Sequence, residues 1–307
     1  MQRRALVLGC ALVAACAGAP PREDPDPYGR RIARCANLPR PISDAASEAM
    51  IPIAGGSAVL GSTAHEREEA YALQAAFYGD DRARRARWFD VEEPRHVERV
   101  RSFVIDRAPV TNEAYAEFAA ACGIDVETPE TLTAPRYAAR ARRFGLSLPY
   151  SAVARFLWPG SAPPRGRERH PAVLVSHDDA AFYCAWRGAR LPTEREWERA
   201  ARGARGSVYP WGDAYDPARV VGAGSESGAR DTRDVGQRSS AAPDGTLDMG
   251  GHVFEWTSTE WPRRAGAWVV KGGSWDDAGG WGRGAARQPR PGALRHVVIG
   301  MRCAADS

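Results

Sequence analysis

The motifs that mark several common classes of enzyme are absent from this 307-residue chain. It has no CxxC pair, no HExxH, no GxSxG nucleophile elbow and no glycine-rich loop followed by lysine. These absences argue against a zinc ribbon, a zincin protease, an α/β-hydrolase and a P-loop nucleotidase. Internal repeats are also missing, which argues against a solenoid or a propeller.

A strong charge of one sign is lacking as well. The chain has 42 Lys and Arg against 38 Asp and Glu, a formal net charge of +4, and its basic residues are spread along the sequence. This weak and dispersed charge does not favour a nucleic-acid partner. The one local cluster consists of Arg136, Arg140, Arg142 and Arg143. We interpret it as a solvated face, with contact to acidic lipid headgroups as the alternative.

Apolar runs long enough to span a bilayer are not found at the N-terminus. Residues 5–15 are apolar and follow two arginines, but they are too few for a spanning helix, so residues 1–15 are predicted to be a signal peptide. Residues 13–16 (VAAC) resemble a bacterial lipobox, in which the Cys16 thiol is acylated. Ordinary signal cleavage after Ala19 is the alternative.

Residues 16–47 have little apolar periodicity and contain PPREDPDP, so they are predicted to be a disordered tether. Lipid on Cys16 would anchor the protein to a membrane surface through that tether. We therefore expect an exported, membrane-anchored lipoprotein of the bacterial cell envelope, in the periplasm or at the outer membrane. Residues 48–307 remain for a folded domain.

The remaining cysteines agree with export. Without Cys10 and Cys16 the chain keeps an even number of them, namely Cys35, Cys122, Cys184 and Cys303. An even number of cysteines in an oxidising compartment favours disulfides, and the lack of CxxC spacing argues against zinc.

Three segments carry both start and stop signals for a helix. Each begins with a Ser or Thr that can cap the first turn, continues with apolar residues on one face, and closes at a glycine. The cap and stop residues are Thr111 and Gly123, Ser176 and Gly188, and Thr193 and Gly203. After Gly203 the chain alternates aromatic or β-branched residues with glycines, which predicts short strands joined by irregular loops. Residues 129–170 are predicted to be a surface insertion with a helix near 137–144.

Sequence blocks in a fixed order resemble those of a known family. They include MIPIAGGSAVLGS at 50–62, the RLPTEREWERAARG region, DGTLDMGGHVFEW, VVKGGSW and the closing IGMRCAAD. Together they resemble the formylglycine-generating enzymes, or sulfatase-modifying factors, from residue 50 to the end. The resemblance implies an irregular α+β fold related to C-type lectins, with little regular secondary structure.

The resemblance also implies a disulfide framework. In the family, a cysteine before RLPTE pairs with one in the last strand, and the matching residues here are Cys184 and Cys303. A second family bridge is absent, because its positions correspond to Ala201 and Gly284. Cys35 and Cys122 then remain as a candidate pair that would fix the tether to the first helix.

A calcium loop is implied by LDMGGHVFEW. The ligand positions of the family correspond to Asp248, Gly251, Val253 and Glu255, which offer the hard oxygen donors that calcium prefers. The alternative interpretation is a glycine-rich turn in which Asp248 and Glu255 accept hydrogen bonds from the backbone.

The copper site of the family is not preserved. Formylglycine-generating enzymes hold Cu(I) between two cysteines, but residues 271–287 contain none, and the matching positions are Asp277 and Gly279 or a deletion. Cu(I) selects thiolates, so we do not expect copper here. A remnant pocket is expected around four residues, Ser274, Asp277, Phe254 and Trp256, without an assigned catalytic role.

Two further features suggest alternative uses of this region. Four side chains, those of His252, Asp276, Asp277 and His296, could form an iron site, although the His-x3-His-x-Glu signature of iron-dependent relatives is missing. Trp268, Trp275 and Trp281 could form a groove on which a ligand stacks, or they could be core residues.

These observations support two hypotheses about function. The first is a pseudoenzyme, a lipoprotein whose domain binds a peptide, a glycan or another envelope protein. The alternative is a divergent oxidase, of the formylglycine-generating or non-haem iron type, that acts on a protein or peptide.

Overall fold

A computed structural model describes residues 29–35, 50–225, 228, 230–236 and 241–307. The predicted signal peptide, Cys16 and most of the predicted tether lie outside the described residues. Within these ranges, no helix is both long and apolar enough to cross a membrane.

Helices and strands are mixed along the chain, and the predicted irregular α+β class is confirmed. The helices are α1 (Gly29–Ile32), α2 (Ala64–Tyr78), α3 (Arg82–Arg85), α4 (Asn112–Cys122), α5 (Ala134–Phe144), α6 (Tyr150–Ala154), α7 (His177–Trp186) and α8 (Glu194–Arg202), with a 3₁₀ turn at Gly279–Gly282. The strands are β1 (Met50–Ile53), β2 (Gly56–Leu60), β3 (His96–Val100), β4 (Phe103–Asp106), β5 (Phe254–Glu260), β6 (Ala267–Lys271), β7 (Arg287–Pro291), β8 (Ile299–Gly300) and β9 (Ala304–Asp306).

The strands form three small sheets. The orders are β1-β4-β9, β2-β3 and β7-β6-β5-β8. All pairs are antiparallel except β5 and β8, which run parallel. In the last sheet β6 lies between β7 and β5, and β8 pairs with β5, so residues far apart in sequence come together in one sheet.

The three helices predicted from capping signals are α4, α7 and α8. Thr111 caps α4, and both Ser176 and Thr193 take part in capping boxes. Gly123 and Gly203 follow the ends of α4 and α8 with positive φ, as predicted. The helix predicted near 137–144 begins three residues earlier, as α5, because Pro135 stands in its first turn, where a missing N–H costs nothing.

Most residues of the predicted surface insertion at 129–170 are exposed or half-buried, but a few apolar side chains anchor it in the core. Val153 is fully buried, and Phe156 and Trp158 are about 95% buried within the main hydrophobic core. The segment carries α5 and α6, and its apolar side chains stabilise the fold by leaving water. Only part of the arginine cluster is a solvated face, because Arg140 donates a 2.7 Å hydrogen bond to Glu127.

Part of the predicted tether is fixed to the domain. Residues 29–35 include α1, and Cys35 is bonded to Cys122 at the end of α4. The Arg31 guanidinium lies 4.1 Å from the centre of the Phe182 ring and pairs with Asp178 at 2.8 Å. These contacts hold a segment whose composition alone predicts disorder.

Both predicted disulfides are confirmed. Cys184 on α7 pairs with Cys303 just before β9, with 5.5 Å between their Cα atoms. At the positions of the missing family bridge, Arg202 fills the space. A Cβ added to Gly284 would lie 2.3 Å from the Arg202 side chain. The buried guanidinium donates hydrogen bonds to Glu198 and to backbone carbonyls of Gly61 and other residues.

Candidate functional site

A cavity of about 560 Å³ opens beside the residues predicted to be the remnant pocket. We call it the Ser274 cavity. Its lining includes Tyr78, Trp88, Phe254, Ser274, Asp276, Asp277, Trp281, Arg290, His296 and Val298. These residues come from the end of α2, from β5, from the loop after β6, from β7 and from the segment before β8. The volume lies in the range of small-molecule sites in proteins.

Two glycines shape the loop that carries Ser274. Gly272 and Gly273 have φ values of 100° and 74°, which glycine adopts without strain. A Cβ on Gly273 would lie 2.9 Å from backbone atoms of Trp281, so the loop also requires close approach. This geometry directs the chain from β6 into the cavity wall.

Asp277 is a half-buried acid in the cavity wall. The Ser274 hydroxyl donates a short hydrogen bond to Asp277 Oδ2. Burial raises the pKa of Asp277 to about 6, although the hydrogen bond from Ser274 opposes that shift. Asp276 beside it is partly exposed and pairs with Arg230 at 3.2 Å, and burial raises its pKa as well.

Gly279, which matches the second copper-ligand position of the family unless that position is deleted here, has no room for a cysteine side chain. A Cβ added to Gly279 would lie 2.0 Å from a ring carbon of Tyr215. Tyr215 is held in place because its hydroxyl donates a hydrogen bond to the Gly224 carbonyl. The Tyr215 ring therefore occupies the space that a side chain at Gly279 would need.

The cavity also contains basic side chains. Arg290 on β7 lines it and was not predicted from sequence, whereas His296, which also lines it, was predicted as a candidate iron ligand. His296 is 7% exposed, and burial lowers its pKa to about 3, so the ring is neutral. Its Nε2 atom is buried and has no hydrogen-bond partner among the residues that the structure describes.

The predicted aromatic groove forms only in part. Trp281 lines the cavity and lies near Trp88, with 5.8 Å between ring centres. Trp275 is 1% exposed and donates to the Val297 carbonyl, so it belongs to the core. Trp268 stacks on His177 at 3.8 Å, away from the cavity lining.

Of the predicted remnant pocket, Ser274, Asp277 and Phe254 line the cavity, but Trp256 does not. Trp256 is fully buried, and its indole N–H donates to the Val175 carbonyl at 3.1 Å. It therefore supports the cavity from the core.

The predicted iron ligands are not brought together. His252 is fully buried outside the cavity lining, and its Nε2 atom lies 3.0 Å from the Arg233 carbonyl. Asp276, Asp277 and His296 share the cavity, but among the described residues no three acidic, His or Cys side chains are grouped to hold a metal.

At the predicted calcium loop, Glu255 is committed to other partners. Its carboxylate accepts hydrogen bonds of 2.6 and 2.8 Å from Arg302 and one of 2.7 Å from Trp197. Asp248 is 2% exposed and accepts a hydrogen bond from the Gly236 N–H, and burial raises its pKa. A calcium ion would fit the buried Asp248, but it would share Glu255 with a guanidinium.

A second cavity, of about 400 Å³, lies next to a buried charge network. Lys271 Nζ lies 3.0 Å from Glu198 and 3.4 Å from Glu194, and Arg287 lies 3.0 Å from Glu194. Because these charges neutralise one another, we assign them to the stability of the β6 to α8 contact. The lining of this second cavity contains no residue of the predicted remnant pocket.

Comparison with known proteins agrees with this geometry. The family described as "Sulfatase-modifying factor enzyme 1-like domain" matches residues 36–307. "Inactive C-alpha-formylglycine-generating enzyme 2" of Mus musculus is 34% identical over 210 residues, which cover 61% of this chain and 68% of the relative. "Formylglycine-generating enzyme" of Mycobacterium tuberculosis is 34% identical over 214 residues, which cover 59% and 72%.

Among solved structures, PvdO from Pseudomonas aeruginosa aligns with a TM-score of 0.61 and 20% identity, over 84% of this chain and 94% of PvdO. At that identity the likeness shows the shared fold. The family match covers most of the sequence. The chain belongs to the sulfatase-modifying factor enzyme 1-like domain family.

Proposed function

We propose that this protein is a ligand-binding member of the family that does not act as a copper-dependent oxidase. The observation that carries the proposal is that the described part of the protein has no free cysteine thiol in the cavity. Every cysteine after residue 16 lies in a disulfide, and none of the four lines the Ser274 cavity. Cu(I) in a protein is held by soft sulfur ligands, whereas this cavity offers carboxylates, hydroxyls, guanidinium groups and an imidazole.

The shape of the cavity supports the same proposal. Asp277 occupies the first copper-ligand position with an oxygen donor, and Tyr215 closes the second position at Gly279. A cavity of about 560 Å³ remains, with the rings of Trp281 and Phe254 in its wall. Aromatic surface with a few polar groups is typical of binding sites, so a peptide, a glycan or a segment of another envelope protein could occupy it.

Metal analysis combined with an activity assay tests this function. The purified protein is analysed for copper, iron and calcium and then incubated aerobically with a Cys-x-Pro-x-Arg peptide, in parallel with an active formylglycine-generating enzyme. We expect no aldehyde product and only traces of copper and iron. Stoichiometric copper or iron together with aldehyde formation would refute the proposal and establish the oxidase.

A matched variant makes the test sharper. Gly279→Cys together with Asp277→Cys restores both thiols, but Tyr215 stands where the second side chain must go. We expect this double variant to bind copper no better than Asp277→Cys alone. Adding Tyr215→Ala to the double variant should then increase copper binding, because it removes the ring that blocks the second thiol.

We also propose that Cys16 carries lipid and that the protein is anchored in the cell envelope. The two disulfides indicate an oxidising compartment, which agrees with export. Detergent phase partitioning tests the anchor. The wild-type protein should enter the detergent phase and Cys16→Ser the aqueous phase, whereas equal partitioning would contradict lipidation.

Calcium remains a proposal for the Asp248 loop. A buried carboxylate with a raised pKa is stabilised by a nearby cation, which supports it. The backbone carbonyls of Gly251 and Val253 would complete the ligand set. Thermal unfolding with calcium and with EDTA tests the site, and Asp248→Ala should abolish any rise in Tm caused by calcium.

A further inference from the structure

The Ser274 cavity contains a guanidinium that forms no ion pair with any described residue, that of Arg290. Arg290 lies on β7, half-buried, and burial lowers its pKa. No described residue forms an ion pair or side-chain hydrogen bond with its guanidinium. Arg287, three residues earlier, pairs with Glu93 and Glu194. A desolvated guanidinium without a paired anion raises the free energy of the folded protein, so binding an anion at Arg290 would be favourable.

A buried hydrogen-bond donor lies in the same cavity. His296 Nδ1 accepts a hydrogen bond from the Val298 N–H at 3.4 Å. This contact assigns the proton of the neutral ring to Nε2. The Nε2 atom is buried and has no partner, and a polar atom left in that state lowers stability unless a ligand or water satisfies it. Arg290 and His296 line the same cavity, and the charge of Arg290 contributes to the lowered pKa of His296.

The acids in the cavity do not neutralise Arg290. Asp276 pairs with Arg230, and Asp277 accepts its hydrogen bond from Ser274. The charges of Asp277 and Arg290 influence each other, but no ion pair within 4.0 Å joins them. With a pKa of about 6, Asp277 is mostly ionised at pH 7 and offsets part of the charge of Arg290, but among the described residues the guanidinium has no anion within hydrogen-bond distance.

We propose that the Ser274 cavity binds its ligand through a carboxylate that pairs with Arg290 and accepts a hydrogen bond from His296 Nε2. The apolar body of the ligand packs against Trp281 and Phe254. A guanidinium binds a carboxylate through two parallel hydrogen bonds, which suits Arg290 better than a neutral acceptor would. This inference rests on the proposed ligand-binding function, because it names the chemical group which that cavity recognises.

Two probes of equal shape test the inference. 3-Phenylpropionate carries an aromatic ring and a carboxylate, and 3-phenylpropanamide differs only in its neutral amide. Both are titrated into the full protein with calorimetry and ligand-observed NMR. We expect a Kd on the order of 1 mM for the acid, which is typical of so small a ligand. The amide should bind about tenfold more weakly, because it loses the charge-assisted hydrogen bonds.

Variants locate the binding group. Arg290→Gln should weaken the acid about tenfold and leave the amide almost unchanged, since only the acid is charged. His296→Phe removes the Nε2 donor while keeping a ring and should weaken the acid severalfold. Arg142→Gln is the matched control, because Arg142 is exposed and does not line the cavity. The Tm of each variant shows that it is folded.

The outcomes separate the two proposals. If the amide binds as well as the acid, or if Arg290→Gln keeps full affinity for the acid, the carboxylate inference is wrong, while the cavity still binds ligands. If neither probe binds to the folded wild-type protein, both the inference and the proposed function are overturned. Acid-selective binding that depends on Arg290 but not on Arg142 supports both.

The carboxylate could belong to a free organic acid or to the C-terminus of a peptide. Acetyl-Gly-Phe as the acid and as the C-terminal amide distinguishes these sources. Tighter binding of the peptide acid than of 3-phenylpropionate supports the inference with a peptide as ligand. Weaker binding of the peptide acid supports it with a small acid as ligand.

Discussion

The ion pair between Glu255 and Arg302 offers the sharpest test of how this domain is held together. Both side chains are fully buried, and two hydrogen bonds of 2.6 and 2.8 Å join them. All five N–H donors of Arg302 are used, since its other three bonds go to the carbonyls of Asp106, Arg107 and Leu247. The pair therefore links β5 to the segments before α4 and before β9.

The expected cost of breaking this pair follows from its burial. Two unit charges about 4 Å apart attract by roughly 4 kcal/mol at an effective dielectric constant of about 20. Glu255→Gln leaves Arg302 charged and buried without its partner, so we expect a loss of about 3–5 kcal/mol in the free energy of unfolding. Arg302→Met should cost a similar amount, because Glu255 then keeps only Trp197.

Chemical unfolding of the two single variants and the double variant measures the coupling. With intact disulfides, we expect Glu255→Gln with Arg302→Met to lose about 2–3 kcal/mol less than the sum of the single losses. Each measurement is repeated with calcium and with EDTA. Because the loss is assigned to the pair, Glu255→Gln should be equally destabilising in both.

Two results would refute this reasoning. Additive losses would show that Glu255 and Arg302 do not stabilise the fold through each other. A loss for Glu255→Gln that appears with calcium and vanishes with EDTA would assign Glu255 to a calcium ion. The same variant therefore decides between two roles for one carboxylate.

Three further predictions follow from the geometry. The pKa of Asp277 is about 6 in the folded protein, against an ordinary value of 3.8. Between these pH values the Asp277 carboxyl is ionised in the unfolded chain but still protonated in the folded protein. Stability should then fall by up to about 3 kcal/mol as the pH rises from 4 to 6, and Asp277→Asn should remove this fall in pH-dependent urea unfolding. Cys35→Ser with Cys122→Ser should let trypsin cut after Arg34 while the rest of the domain resists, as gel electrophoresis would show. Gly222→Ala should lower stability by about 2–3 kcal/mol in the same urea assay, because its φ is 138° and a Cβ would lie 2.5 Å from a backbone atom.

Contrary results would be equally clear. A pH profile that is the same in Asp277→Asn would show that this acid is not the buried titrating group. Unchanged tryptic resistance without the Cys35–Cys122 bond would mean that noncovalent contacts alone hold residues 29–35. A Gly222→Ala protein as stable as the wild type would contradict the close approach of the Gly222 backbone to the Trp275 backbone.

Local signals explain why some helices could be predicted and another could not. Helices α4, α7 and α8 combine a cap, an apolar face and a terminal glycine. Helix α2 has a capping box at Thr63 and Glu66 and ends at Gly79, but it was not predicted. Its inward face includes Glu66 and Gln74, so the apolar period that would indicate a helix is weak.

The cavity depends on contacts that no local pattern contains. Ser274 and Asp277 were predicted from their place in a resembling motif, and both line the cavity. Arg290 was not predicted, because its strand reads RQPRP and resembles a loop. Tyr78 lies at the end of the helix that was missed. The pairing of β6 with β7 brings Arg290 to the cavity, and such a pairing is fixed by tertiary packing.

The Cys35–Cys122 disulfide sets a limit on the distance between the domain and a membrane. If Cys16 is acylated as proposed, only the chain between Cys16 and Cys35 separates the lipid from a fixed point on α4. That stretch, fully extended, spans at most about 65 Å. Without the disulfide, the segment between the lipid and the domain would extend to the first strand at Met50, and its maximum length would increase by roughly 50 Å. One covalent bond thus restricts which partners in the envelope the cavity can reach.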